Sequence, residues 1–301
     1  MIRSAMKIIV LAGGASAERE VSLESGANVA QALAARGHAV ELVDPGSQPI
    51  RDLSFSCDAI VPMLHGTGAE DGTLQEDLNA LGIPWLGSSP EASRLTFDKV
   101  ATRQRLQSFG LPVPEGVSFD RSNFQGRLRD FIGTVDYPVV LKPACQGSSV
   151  GVSIVQSDRE LLSAIEDVFR WGDIGLAERY IAGREVTVPV IDGELFPAIE
   201  IVPARSWYDY TAKYSDDATK YVVNPAIPSG LPETVLKACD VCGVTAISRT
   251  DLRIDPDGNF SILEINTIPG MTSHSLVPMS VTSKGMTTGE LLENLLRRRV
   301  K

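Results

Sequence analysis

The sequence predicts an α/β segment with a parallel sheet, followed by a larger α+β region. Three observations predict it. Short, continuously apolar runs alternate with helix-length stretches over the first ninety residues, the pattern of strands covered on both faces by crossover helices. Later in the chain, Asp-Gly pairs at 192–193 and 257–258 stand between alternating runs, which is a hairpin signal. Finally, 301 residues with 43% hydrophobic and 22% charged content make a globular chain long enough for two or three domains.

Taken in order, strands are expected at Lys7–Leu11, Ala39–Val43, Ala59–Leu64 and Pro84–Gly87. Helices are expected over about Glu20–Arg36 and Thr73–Leu81, closed by Gly37 and Gly82. Ligands of such sheets lie beyond the carboxyl ends of the strands, where 12-AGGASAERE-20 and 65-HGTGAEDG-72 stand. Neither loop is a dinucleotide fingerprint or a P-loop. A helix over Ser93–Phe109 and the link 110-GLPVPEG-116 lead to 138-PVVLKPACQGSSVGVSIV-155, two strands joined by a Gly/Ser loop. The motif 157-SDRE-160 reads as a capping box opening the next helix. From Leu176 the pattern is mostly strand, with a hairpin inside 185-EVTVPVIDGELFPAIEIV-202 and a long polar, aromatic loop over Pro203–Asn224. Loops of that length inside a domain are usually functional.

A net charge of −10 argues against a general nucleic-acid binder, which would need a basic face, but not against phosphate ligands met by local lysines. The N-terminal apolar run is too short for a secretory segment or a membrane span, so the cytoplasm is the expected compartment and no membrane partner is expected. Of the four cysteines, the pair in 239-CDVC-242 has redox or zinc spacing, but no second pair completes a zinc site; two reduced core thiols are expected.

The chemistry concentrates in 248-SRTDLRIDPDGNF-260 and 260-FSILEINTIPGMT-272. A hairpin turning on Asp257-Gly258 pairs Pro256 with Asn259, and counting outward sets Asp251 opposite Glu264 and Arg249 opposite Asn266. Residues two apart share a strand face, so all four project together, while Leu252, Ile254, Leu263 and Ile265 take the buried face. Opposed carboxylates repel unless positive charge intervenes. Three hard oxygen donors, Asp251, Glu264 and Asn266, suit Mg²⁺, with Arg249 beside it; the bland alternative is a solvated hairpin face. Phosphate would need cations and backbone donors. The loop 146-QGSSVG-151 offers N–H groups and hydroxyls, and Lys142, in the apolar run 139-VVLKP-143, needs an anion. Lys99 is ambiguous, Lys213 sits among loop aromatics, and Glu178 and Glu185 suit either nucleotide hydroxyls or salt bridges to Arg179 and Arg184.

The chain resembles the D-alanine–D-alanine ligases of the ATP-grasp superfamily. Spaced matches carry the likeness: 13-GGASAEREVSLESG-26, 65-HGTGAEDGTLQ-75, 147-GSSVGVS-153, 207-WYDYTAKY-214 and 264-EINTIPGMTSHSLVPM-279. The resemblance implies an N-terminal α/β domain over 1–94 binding the first D-alanine, then an ATP-grasp fold. The latter would comprise a small central subdomain over 95–175 and a C-terminal subdomain over 176–301 with the metal site and lid loop. It implies ATP-driven joining of two D-alanines through an acyl phosphate, in a cytoplasmic homodimer serving peptidoglycan synthesis. Position by position, Asp251, Glu264 and Asn266 match Mg²⁺ ligands, with Mn²⁺ able to substitute. Lys99, Lys142, Lys213 and Ser148 match nucleotide contacts, with Glu178 and Glu185 at adenine and ribose. Glu18 matches the anchor of the first ammonium, partnered by Ser148 and Tyr214, with His65 nearby. Arg249 and the Gly270 N–H match oxyanion stabilisers, and Ser275 matches the contact to the second carboxylate. The presence of Tyr214 favours a dipeptide over a D-lactate ester. Ala69, Gln146 and Ser248 depart from residues usual in the family.

Overall fold

The computed structural model describes residues 5–203 and 219–300. Strands β1 (Lys7–Leu11), β2 (Ala39–Val43) and β3 (Ala59–Pro62) form a parallel sheet in the order β2-β1-β3. The fourth expected strand is reduced to a single parallel bridge between Ile60 and Trp85. Helices α1 (Arg19–Ala34) and α2 (Thr73–Leu81) follow β1 and β3. Gly26 is needed in α1, because a Cβ there would stand 2.3 Å from that of Ala12.

The expected single helix over Ser93–Phe109 is two, α3 (Pro90–Phe97) and α4 (Lys99–Ser108). Asp98 divides them: its backbone is extended and its carboxylate accepts from the N–H groups of Val100 and Ala101. The break makes Lys99 the first residue of α4 and turns it toward the Gly/Ser loop.

Strands β4 (Gly116–Asp120), β5 (Val139–Pro143), β6 (Ser153–Val155) and β7 (Ile174–Arg179) make an antiparallel sheet in the order β4-β7-β5-β6, backed by α5 (Phe124–Val135) and α6 (Asp158–Trp171). The expected boundary at 175/176 falls inside β7. The capping box at Ser157 does not form; Glu160 instead accepts from the Gln156 N–H at 2.8 Å.

The third sheet holds β8 (Arg184–Ile191), β9 (Glu194–Leu195), β10 (Ile199–Val202), β11 (Lys220–Val223), β12 (Ile247–Ile254) and β13 (Phe260–Asn266), ordered β11-β10-β8-β12-β13 with β9 on β8. The Asp192-Gly193 hairpin is present, with positive φ at both residues. The expected loop over Pro203–Asn224 ends in strand β11. Helix α7 (Leu231–Val241) covers this sheet, and Cys239 and Cys242 are buried free thiols beneath it. The last helices, α8 (Leu276–Ser283) and α9 (Thr288–Arg299), return to the N-terminal unit. There Val277, Val281, Leu291 and Leu295 join the core of the first sheet. No helix among the described residues is long and apolar enough to cross a membrane.

Candidate active site

The β12–β13 pair places Asp251 opposite Glu264 and Arg249 opposite Asn266, as expected. The turn is nevertheless one residue off. Asp255 pairs with Asn259, and a bulge between Asp251 and Leu252 restores the register. Ile262, not Leu263, consequently joins the fully buried face.

These side chains open into a cavity of about 360 Å³ where the three sheets converge. Both hairpin carboxylates meet a cation. Arg249 grips Asp251 through two bonds of 2.8 Å, and Thr187 donates to the same carboxylate at 2.6 Å. Lys99 lies 3.0 Å from Glu264 and donates to the Gln146 carbonyl at 2.6 Å. Burial works against the Lys99 ammonium, but the Glu264 carboxylate outweighs it and raises its pKa. Asn266 accepts from the Ile268 N–H at 2.9 Å, which leaves its carbonyl a second lone pair. Among the described residues no group of three His, Cys, Asp or Glu has metal-holding geometry. Two carboxylates and an amide are a different donor set, and it fits Mg²⁺, which binds one or two carboxylates and keeps waters and phosphate oxygens.

At the other end of the cavity Glu18 stands at the N-cap position of α1 and accepts a hydrogen bond from Ser148 Oγ. Ser148 and Ser149 adopt positive φ of 50° and 60°, a sharp bend that carries the loop over Glu18. A Cβ on Gly147 would approach Glu18 Oε2 to 3.0 Å, and one on Gly66 to 2.7 Å. Glu70, which the sequence reading passed over, is buried beside this cluster. Its carboxyl is pushed up to about 8 by burial and then by the Glu18 charge, against the Gly66 N–H that favours ionisation. Burial pulls the His65 imidazole down to about 4, so it is neutral at pH 7. The only sequence signal for Glu70 is its place in the charged loop 65–72.

Gly270 lines the same cavity, and a Cβ there would stand 3.0 Å from Ser275 Oγ. Ser275 accepts from the Thr272 N–H at 3.0 Å and lies 2.8 Å from the Thr272 hydroxyl, a partner also unforeseen. Glu185 lines the cavity too, but its cation is Arg253 at 3.1 Å. The alternatives drawn from sequence are overturned: Arg179 pairs with Glu115 and Arg184 with Glu200. Lys142 and Glu178 are outside the cavity lining and form a buried ion pair of 2.6 Å between β5 and β7. Lys213 and Tyr214 lie outside the described residues. Ser248 is accommodated by donating to the Val190 carbonyl at 3.3 Å.

Solved structures share this architecture. A D-alanine–D-alanine ligase from Bacillus anthracis complexed with ATP superposes with a TM-score of 0.83 at 32% identity, covering 99% of both chains. VanG D-Ala:D-Ser ligase from Enterococcus faecalis gives 0.83 at 27% identity, covering 99% of this chain and 100% of that one. The fold is therefore ATP-grasp. Residues 106–297 match the family model described as D-ala D-ala ligase C-terminus. The D-alanine–D-alanine ligase of Glaesserella parasuis serovar 5 is 42% identical over 295 residues, 96% of this chain and 97% of that protein. The chain belongs to the D-alanine–D-alanine ligase family.

Proposed function

We infer that this chain joins two D-alanine molecules, converting ATP to ADP and phosphate and making D-alanyl-D-alanine. The observation that carries the reading is one cavity lined both by the cation-matched pair Asp251 and Glu264 and by the Glu18–Ser148 pair. A nucleotide-handling end and an ammonium-handling end then face each other.

Glu18, oriented by Ser148, holds the first D-alanine through its ammonium. The carboxylate oxygen of that D-alanine attacks the γ-phosphorus of ATP and displaces ADP, giving an acyl phosphate. Lys99 and Lys142 orient and neutralise the phosphoryl oxygens; Lys142 has three donors and spends one on Glu178. Asp251, Glu264 and Asn266 would hold Mg²⁺, or Mn²⁺ in its place, and the bound ion would neutralise charge on the transferring phosphoryl. Glu185 and Glu178 face the ribose and adenine, and Lys213 and Tyr214 belong to the lid. Neutral His65 flanks the first substrate without competing for Glu18. Ser275 takes the second carboxylate, the second amine attacks the activated carbonyl, and phosphate leaves with its bridging oxygen as the amine sheds a proton. Arg249, its plane fixed by Asp251, and the Gly270 N–H meet the tetrahedral oxyanion. The same reading gives an N-terminal unit from residue 1 to 94, a central one to Arg179 and a C-terminal remainder, in a cytoplasmic homodimer supplying peptidoglycan precursors.

The test is D-alanine-dependent ADP release by the purified chain with Mg²⁺, with the product identified by mass spectrometry. The dipeptide is expected. ATP binding without turnover, or a D-lactate ester or D-serine product outrunning the dipeptide, would overturn the reading.

A further inference from the structure

Four polar side chains fall on one face of the first helix: Glu18 at its cap, then Ser22, Ser25 and Asn28 at steps of four, three and three. A helix face turned inward normally carries apolar residues, yet Ser22 and Ser25 are fully buried. Their hydroxyls reach other segments. Ser22 accepts from the Gly13 N–H at 2.8 Å and donates to the Met63 carbonyl at 2.6 Å, tying α1 to the ends of β1 and β3. Ser25 accepts from the Met271 N–H at 3.1 Å, and Asn28 donates to the Met271 carbonyl at 2.5 Å. Both backbone polar groups of Met271 are thus held by a helix some 240 residues away in sequence. The Met271 side chain is 1% exposed and inserted in the first sheet's core.

Met271 lies between Gly270 and Thr272, and Thr272 fixes Ser275. The helix that carries Glu18 at one end therefore grips the 270–275 turn further along.

We propose that Ser25 and Asn28 are positioning residues that fix the Gly270 N–H and the Thr272–Ser275 turn relative to Glu18. They set the span between the anchor of the first amino acid and the seat of the second. The inference rests on the ligase reading of the cavity. Neither residue lines the cavity, so each acts through Met271. Ser25 holds the peptide unit that joins Gly270 to Met271 and Asn28 the one that joins Met271 to Thr272, so neither can tilt without losing a hydrogen bond. Loss of the clamp should therefore damage capture of the second amine while leaving activation of the first carboxylate in place.

The experiment compares Ser25→Ala, Asn28→Ala and the double variant with the wild type. Hydroxylamine traps an acyl phosphate as a hydroxamate and reports the first half-reaction; dipeptide formation reports both. The double variant is expected to keep its KM for ATP and its hydroxamate rate within about twofold, while kcat/KM for the second D-alanine in dipeptide formation falls roughly tenfold. Amide exchange at Met271 should quicken by about tenfold or more. Unchanged exchange with unchanged dipeptide kinetics would overturn the proposal. So would a uniform fall in ATP affinity, hydroxamate rate and melting temperature, the mark of a merely structural role. A wild type that forms neither hydroxamate nor dipeptide would sink the ligase reading instead, and the exchange rates would still decide whether Ser25 and Asn28 hold Met271.

Discussion

Replacing Glu178 by alanine should be among the most damaging single changes in the central unit. Lys142 and Glu178 are 7% and 4% exposed and 2.6 Å apart. Truncating one partner leaves the other charge buried and unmatched, which costs about 3–5 kcal/mol. A domain has about 5–15 kcal/mol in all, so the loss is a large fraction, and it should lower the melting temperature by roughly 6–20 °C. The double variant Lys142→Met, Glu178→Leu removes both charges and fills the space with carbon. It should recover most of that stability, but not nucleotide affinity, because the phosphoryl oxygens lose the Lys142 ammonium. Urea titration monitored by circular dichroism gives the stability, and calorimetric titration with ATP gives the affinity. A Glu178→Ala variant that loses less than about 1 kcal/mol would refute the reasoning, since exposed pairs behave that way.

Further outcomes follow from the same structure. Gly147→Ala sets a methyl 3.0 Å from Glu18 Oε2; KM for the first D-alanine should rise several-fold while ATP binding holds, read from steady-state kinetics. Glu70 has its carboxyl raised from 4.5 to about 8. Its contribution to stability is therefore full below about pH 4.5 and is lost as pH climbs through about 8. Relative to the wild type, Glu70→Gln should gain melting temperature across that window and show a flatter pH profile. Gly183 has φ of +124°, and a Cβ there would meet the Ile254 carbonyl at 2.2 Å. Gly183→Ala should unfold at lower urea, by about 2 kcal/mol or more.

The first sheet was legible because continuous apolar runs closed by glycine have few other readings, and β1 and β2 carry the expected bounds. The metal-site register was legible for a partly wrong reason. A loop longer by one residue and a bulge beside Leu252 cancel, so Asp251 meets Glu264 although the turn was misplaced. Bulges leave no mark in a short alternating run, where an extra apolar residue such as Leu263 reads as pattern. Asp98 broke the long helix because one side chain's caps outweighed a periodicity that ran through it. Glu70 and Thr187 were invisible because their roles exist only once distant segments meet. The salt-bridge partners of Glu185, Arg179 and Arg184 were wrong for a like reason. Neighbours in sequence were favoured, whereas adjacent strands supplied the charges.

The return of the last helix to the first unit bears on how the chain is made. The helix Thr288–Arg299 supplies Leu291, Leu292, Leu295 and Leu296 to the core beneath the opening sheet, and Glu293 pairs with Arg36 at 2.8 Å. During synthesis, that opening sheet leaves the ribosome long before these leucines do. It must wait with one flank uncovered until that helix has emerged, exposed in the interval to chaperones and to neighbouring nascent chains.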